Sequence, residues 1–475
     1  MRRAKIVCTL GPSSYDQDTL ERLVAAGMDV ARLNFSHGSH EQHAEAIKKI
    51  RAASLKVRKA VGILQDLQGP KIRTGRFTTG STLLKEGAEF MITTDETVPG
   101  DDLIVSTTYP HLAADVNPGD TILLDDGLLE LRVTSTDKKQ LVRTQVIHGG
   151  VLKNNKGINL PGVALRAEAL TPKDREDLIF GLSVGIDYCA LSFVRQPSDL
   201  DAAREAMAEA GRQVPIIAKL EKPEAIARLD AILDKTDGVM VARGDLGVEI
   251  PPEEVPSIQK DIIRRANARR LPVIVATQML NSMIDNPRPT RAEASDVANA
   301  VYDGADAVML SGETASGKYP LESVQMMDRI LLAAESSMRV AGTRMISDPV
   351  SIPASFPETI AGIACRAARE SGATLIAAFT LGGMTARLLS HFRPGVPIIA
   401  FSPNQEVRRK LALLWGVVPR VLEPISDTES MVKRVEEELL ARGLVAKGDR
   451  VVIVFGAPVG QPGKINSLRL HTVTG

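Results

Sequence analysis

Short apolar runs alternate along this chain with longer stretches in which apolar residues recur every three to four positions. This is the rhythm of βα units around a parallel sheet. The strand-like runs are KIVCTL from Lys5, DVARLNF from Asp29, AVGILQDL from Ala60, DYCALSF from Asp187, PIIAKL from Pro215, GVMVAR from Gly238, PVIVAT from Pro272 and AVMLSG from Ala307. Eight is the number that closes a (β/α)8 barrel. Helical patterns at Asp18 to Ala26, Glu41 to Val57, Pro197 to Ala210, Pro256 to Arg269 and Arg291 to Val301 supply outer cover.

The third interval breaks the rhythm. From about Pro70 to Ala169 the pattern becomes alternating pieces such as FMITTD, DLIVST, TILLDDGLLELRV and LVRTQVIHGGV, separated by Pro-Gly and Asp-Gly turn signals. This predicts an all-β domain, a β-barrel lid of residues 70–169, inserted where βα loops open on the catalytic face. The barrel (1–69 and 170–341) resumes at LTPKD, with Thr171 as N-cap before Pro172. After Ala341 an open α/β sheet (342–475) is predicted: helices over Glu358 to Ser371, Met384 to Phe392, Gln405 to Trp415 and Thr428 to Arg442, with strands TLIAAFT, VPIIAFS and DRVVIVFG. No G-x-G-x-x-G follows its first strand, which argues against a dinucleotide fold.

Composition narrows the function. The 475 residues carry 58 Lys+Arg and 58 Asp+Glu, so no basic field points to nucleic acid or anionic lipid. Cys8, Cys189 and Cys365 have no CxxC spacing, and Cys8 and Cys189 lie inside apolar strands as inert thiols. No run approaches the ~20 apolar residues that span a bilayer. A cytoplasmic enzyme of small molecules is the expectation.

Polar residues cluster where the strands end, and in a (β/α)8 barrel the C-terminal strand ends form the active site. Strand two runs into Arg32, Asn34 and Ser36, strand three ends at Asp66, and strand four at Ser192 and Arg195. Strand five gives Lys219 and Glu221, strand six Arg243, Gly244 and Asp245, strand seven Thr277 and Gln278, and strand eight Ser311, Gly312 and Glu313. Lys219 leaves a core strand, a setting for anion work rather than for a surface ion pair with Glu221. Glu221 and Asp245 are suited to holding a divalent cation with positions left for substrate oxygens, the alternative being helix N-terminal capping. Asn34, Ser36 and Asp66 make an oxygen-rich group beside Arg32. His37 reads as a loop cap, and Met279, Met283, Met326 and Met327 as core filler.

These residues and their order closely resemble the pyruvate kinase family across essentially the whole chain. The motifs are KIVCTLGPSS, MDVARLNFSHG, LQDLQGPKIRTG, GINLPG, LTPKD, LSFVR, IIAKLEKPEA, DGVMVARGDLGVEIP, VATQMLNSM, PTRAEASDVANAV and DAVMLSGETASGKYP. The resemblance implies phosphoryl transfer from phosphoenolpyruvate to ADP, then protonation of the enolate to pyruvate, in a homotetramer. It implies that Lys219 neutralises the phosphoryl group in flight and the enolate oxygen. Glu221 and Asp245 would hold Mg²⁺ or Mn²⁺, while the backbone of Gly244 and Asp245 and the Thr277 hydroxyl receive the carboxylate, with Thr277 near the proton path. Arg32 and Arg73 would clamp phosphates, with Lys173 and Asn34 on the nucleotide side. Asn34, Ser36, Asp66 and the backbone of Leu67 align with a monovalent-cation site.

Lys71 follows Gly69-Pro70 where K⁺-dependent members carry a glutamate, the pattern of K⁺-independent bacterial or archaeal members. Its side chain of ~6 Å is expected to place an ammonium at or near that cation site. The loop of Thr380, Gly382, Gly383 and Thr385 is the expected effector site for a sugar phosphate or AMP. The competing readings are another Mg²⁺-dependent barrel enzyme of pyruvate or phosphoenolpyruvate, which does not need a hundred-residue lid or Lys173, and an inactive binding protein.

Overall fold

Residues 1–163, 165–166, 168–340, 355–425, 427–458 and 464–475 are described by a computed structural model, so the expected boundary at 341/342 lies outside the described residues. All eight strands predicted for the barrel form and close on one another: Lys5–Thr9, Val30–Asn34, Gly62–Asp66, Tyr188–Leu191, Ile216–Leu220, Gly238–Ala242, Val273–Ala276 and Ala307–Leu310. Every pair is parallel, and the first and last strands close the ring, with Cys8 opposite Leu310. The strands are buried on both faces, which is why they read as continuous apolar runs. Inside the ring sit Val7, Val30, Leu64, Ile217, Met240 and Ile274, while the outer faces meet the helices in a separate core. Met279, Met283 and Met327 are buried in that outer core, with Met326 packed against it.

The Thr171 cap forms as expected, its hydroxyl accepting from the Asp174 amide while Asp174 accepts from the Thr171 amide. The insert folds around its own apolar core. Its strands pair as a six-stranded sheet and a two-stranded ribbon, with one short helix at Leu112–Asp115. The single closed ring of a β-barrel is thus not formed among the described residues. Two of its strands, Ser81–Leu84 and Ile158–Asn159, lie outside the strand-like pieces of the sequence pattern.

The C-terminal sheet contains the three predicted strands and two others at its edges, Val417–Val421 and Ser467–Thr472. Pro419 marks the first as an edge strand. The helix expected over Gln405 to Trp415 stops at Lys410. Leu411, Leu413, Leu414 and Trp415 are all buried, but in three different places. Leu411 and Leu414 enter the C-terminal core, Leu413 plugs the inside of the barrel, and Trp415 joins the barrel's outer core. One helical stripe cannot face three cores, so the chain turns instead. The barrel base is tied to this turn by Asp187, which accepts from Arg51 and from Arg409 at 2.8 Å each. Among the described residues no helix is long and apolar enough to cross a membrane.

Candidate active site

The strand exits converge on one charged group. The parallel register places Asn34 opposite Asp66, and Arg32 of the second strand reaches the same carboxylate. Arg32 Nε lies 2.6 Å from Asp66 Oδ2, and its Nη1 donates to Thr9 Oγ1 at 2.9 Å. The other oxygen of Asp66 faces Lys219, whose Nζ is 3.2 Å from Asp66 Oδ1, 2.8 Å from Glu221 Oε1 and 2.7 Å from Ser192 Oγ. Lys219 and Glu221 are therefore not a surface ion pair; both are buried.

Burial opposes the Lys219 charge, yet Asp66, Glu221 and Asp245 together raise its pKa above the usual lysine value, so it stays an ammonium. Burial raises the Asp66 carboxyl, but Arg32 and Lys219 outweigh it and hold that pKa low. Glu221 moves the other way. Its burial, reinforced by Asp245, outweighs Lys219 and lifts the carboxyl above its usual range. Glu221 Oε2 accepts the Phe193 amide at 2.8 Å, so Glu221 is not free to swing.

Asp245 lies in the short helix Arg243–Glu249 that follows the sixth strand. Asp245, Gly244, Thr277, Arg243, Lys71 and Asp126 line a cleft of about 1060 Å³ between barrel and insert. The Gly244 amide, expected to face a substrate carboxylate, donates to Thr277 Oγ1 at 2.8 Å, and that hydroxyl donates to the Ala276 carbonyl at 2.7 Å. Thr277 and Gln278 both have positive φ, 70° and 55°. For a β-branched residue this is a strained position of the kind found at functional sites.

The remaining predicted residues are distributed more widely. Arg73 is in the insert, with its guanidinium on the Asn155 carbonyl at 3.1 Å. Lys173 is exposed, bonded to the Phe35 carbonyl at 3.1 Å and to Asp177 at 2.5 Å. Asn34 Oδ1 accepts the Ser36 amide at 3.2 Å, and the Leu67 carbonyl accepts from Ser192 Oγ at 2.7 Å. The Lys71 ammonium has no hydrogen-bond or ion-pair partner among the described residues, while the Lys71 backbone amide donates to the Gly69 carbonyl at 2.8 Å. Its charge, with that of Arg73, helps to lower the pKa of His37, after the larger effect of burial.

Arg243 holds Asp296 at 2.6 Å and the Thr277 carbonyl at 2.9 Å, and Glu313 caps the Leu280 and Ser311 amides. Both are structural supports of the seventh and eighth strand ends. All three cysteines are buried thiols, and burial pushes Cys365 up to about 12 and the other two higher still.

In the C-terminal domain Thr380 Oγ1 accepts the Gly383 amide at 2.8 Å, Gly383 has φ 93°, and Thr385 is buried. The loop borders a cavity of about 220 Å³ walled by Phe379, Phe401, Leu422, Ile425 and Met431, with Lys464 at its edge.

Sequence reasoning missed Phe193, Lys222, Glu249 and Asn159. Phe193 has φ 55° and its ring lies 5.7 Å from Lys222 Nζ. Glu249 had one faint signal, its place one helical turn after Asp245.

Two family models match the chain. One, described as pyruvate kinase, barrel domain, covers residues 1–324, and the other, pyruvate kinase, alpha/beta domain, covers residues 358–471. The chain is 50% identical over 470 residues to a pyruvate kinase of Corynebacterium glutamicum, covering 99% of this chain and 97% of that one. It is 49% identical over 476 residues to a pyruvate kinase of Mycobacterium tuberculosis, with 99% and 98% covered. Its structure is similar to the crystal structure of a pyruvate kinase from Cryptosporidium parvum, with a TM-score of 0.91, 37% identity, and 99% and 96% of the two chains covered.

Proposed function

Because this chain belongs to the pyruvate kinase family, and so transfers the phosphoryl group of phosphoenolpyruvate to ADP to give pyruvate and ATP, we propose the following division of labour among its residues. The carrying observation is Lys219, an ammonium held at a barrel strand end between Asp66 and Glu221. Lys219 stabilises the charge on the phosphoryl group in flight and on the enolate oxygen it leaves behind. A fixed cation aimed at developing charge acts mainly in the transition state. Arg32, oriented by Asp66 and Thr9, orients the same phosphoryl group, a task suited to a planar fork. Arg73 and Lys173 serve the phosphates of the nucleotide, with Asn34 beside them.

Proteins of this family normally use a divalent metal. Glu221 and Asp245 fit one: they are hard oxygen donors, both carboxylates lie at neighbouring strand exits, and Glu221 is buried with Asp245 close enough to add to the rise of its pKa. Mg²⁺ or Mn²⁺ bound there would supply Lewis-acid stabilisation of the transferring phosphate. The Gly244 and Asp245 amides and the Thr277 hydroxyl receive the substrate carboxylate, which requires Gly244 to leave Thr277 Oγ1. Thr277 then stands on the proton path to the enolate.

Asn34, Ser36, Asp66 and Leu67 form a monovalent-cation site whose role Lys71 takes over, so K⁺ is not required. This is supported by Asp66 being committed already to Arg32 and Lys219, and by the unpartnered Lys71 ammonium in the cleft. The loop of Thr380, Gly382, Gly383 and Thr385 receives a sugar phosphate or AMP. A barrel of 1–69 and 170–341, a lid of 70–169 and a regulatory domain of 342–475 are supported by their separate apolar cores. The enzyme works as a cytoplasmic homotetramer. Pyruvate formation from phosphoenolpyruvate and ADP by the purified chain, with and without Mg²⁺, tests the reading. No pyruvate in the presence of Mg²⁺ would overturn it.

A further inference from the structure

A buried ion pair lies just outside the metal carboxylates. Lys222, next in sequence to Glu221, places Nζ 2.5 Å from Glu249 Oε1, and both side chains are buried. Glu249 ends the helix that begins with Arg243, Gly244 and Asp245, one turn beyond Asp245 on the same face. The same oxygen, Glu249 Oε1, accepts from a second donor, Asn159 Nδ2 of the lid, at 2.8 Å. Asn159 is in the two-residue strand Ile158–Asn159, paired with Thr121–Leu124 through Asn159 opposite Leu123. The hairpin that follows Thr121–Leu124 brings Gly127 against Val248, so the lid meets the Asp245 helix at two neighbouring places. One carboxylate oxygen thus joins three bodies: the exit of the fifth strand with Glu221, the helix of Asp245, and the lid.

We propose that Glu249 is a positioning residue that couples the seating of the lid to the spacing of Glu221 and Asp245, with Lys222 and Asn159 as its two arms. The coupling is mechanical. Lys222 cannot shift without moving the adjacent Glu221, and Glu249 cannot shift without turning the short helix that carries Asp245. A carboxylate shared by two donors in a dry site is held far more tightly than a solvated one. When the lid is seated, Asn159 completes the acceptor's shell and fixes both. When it lifts, Glu249 keeps only Lys222, and the helix loses its lid-side restraint. The lid would then control the readiness of the divalent-cation site as well as its exposure to water. This rests on Glu221 and Asp245 being the metal carboxylates.

Asn159→Asp sets a carboxylate against Glu249, and Asn159→Ala removes the bond without repulsion. Both leave the buried Lys222–Glu249 pair intact and keep every residue assigned to substrate or metal. The double variant Asn159→Asp with Glu249→Gln exchanges amide and acid across the contact, so that the introduced amide donates to the introduced carboxylate. In the full-length enzyme, Asn159→Asp is expected to speed amide hydrogen exchange at residues 158–160, to lower kcat by about 10–100-fold and to raise the Mg²⁺ midpoint. Asn159→Ala is expected to do the same more weakly, and the exchange of groups to recover most of the loss. Unchanged kcat and Mg²⁺ midpoint in both single variants overturns the proposal, even if exchange at residues 158–160 is faster. So does a double variant no better than Asn159→Asp alone. Hydrogen exchange reports the contact wherever the cation binds, so a misplaced metal site shows itself separately, as unchanged Mg²⁺ midpoints in Glu221→Ala and Asp245→Ala.

Discussion

Arg32 and Asp66 stand on adjacent barrel strands with Nε and Oδ2 2.6 Å apart, and this bond leaves the second Asp66 oxygen to Lys219. One buried carboxylate therefore orients both cations assigned to the phosphoryl group. Ordering them before substrate arrives reduces the reorganisation needed at the moment of transfer.

Replacing Lys219 by Met removes the cation proposed to act chiefly in the transition state and keeps Arg32, proposed to bind the phosphate. Turnover is expected to fall about a thousandfold or more, with KM for phosphoenolpyruvate little changed. Steady-state kinetics of Lys219→Met check this, and near-normal turnover would show that Lys219 is misassigned.

If the proposed metal assignment holds, Glu221→Ala and Asp245→Ala each remove one of few protein ligands to a cation that keeps waters elsewhere, and the Mg²⁺ midpoint rises sharply in both. Metal titrations followed by pyruvate formation decide the point. If neither midpoint moves, the two carboxylates cap helices instead.

The proposed assignment of the positive charge to Lys71 predicts full turnover of the enzyme in tetramethylammonium buffer with no K⁺. Lys71→Glu should slow it and create partial activation by KCl, if necessary together with changes at Leu67 and Gln68. Strong K⁺ activation of the unaltered enzyme would refute the assignment.

A screen of sugar phosphates and AMP against phosphoenolpyruvate saturation curves should find an effector that acts through the Thr380 to Thr385 loop. Thr385 is buried, so the cleaner variant is Lys464→Glu at the cavity edge, expected to abolish the response without disturbing the loop. If no phosphorylated compound shifts the curve, the loop is not a phosphate site.

His391 lies between the barrel base and the C-terminal domain, where burial, then Arg270 and Arg393, lower its pKa to about 4 against the opposing Glu358. Between its unfolded value near 6.5 and about 4, the unfolded chain binds a proton that the native state refuses, so stability is lost as pH falls through that window. The loss, discounted for partial exposure, is about 1–2 kcal/mol. His391→Asn should therefore lose less thermal stability than the parent between pH 7.5 and pH 5. Equal losses in the two proteins would show that this histidine does not contribute.

The barrel was legible in the order of residues alone, because strands buried on both faces must be apolar throughout and their polar exits stand out against that background. The placing of Lys219 and Glu221 at a strand exit was legible for the same reason, each being a charge at the end of an apolar run, with Asp245 three residues beyond the end of the next strand. What depends on contacts between distant segments was not legible. Nothing in the order of residues pairs Asn159 with Glu249, or divides the two oxygens of Asp66 between Arg32 and Lys219; the folding of lid onto barrel and strand onto strand decides both. The helix over Gln405 to Trp415 failed by the same logic. Its periodicity is local, but three separate cores compete for Leu411, Leu413 and Trp415, and burial in all three is worth more than the helical hydrogen bonds given up when the chain turns after Lys410.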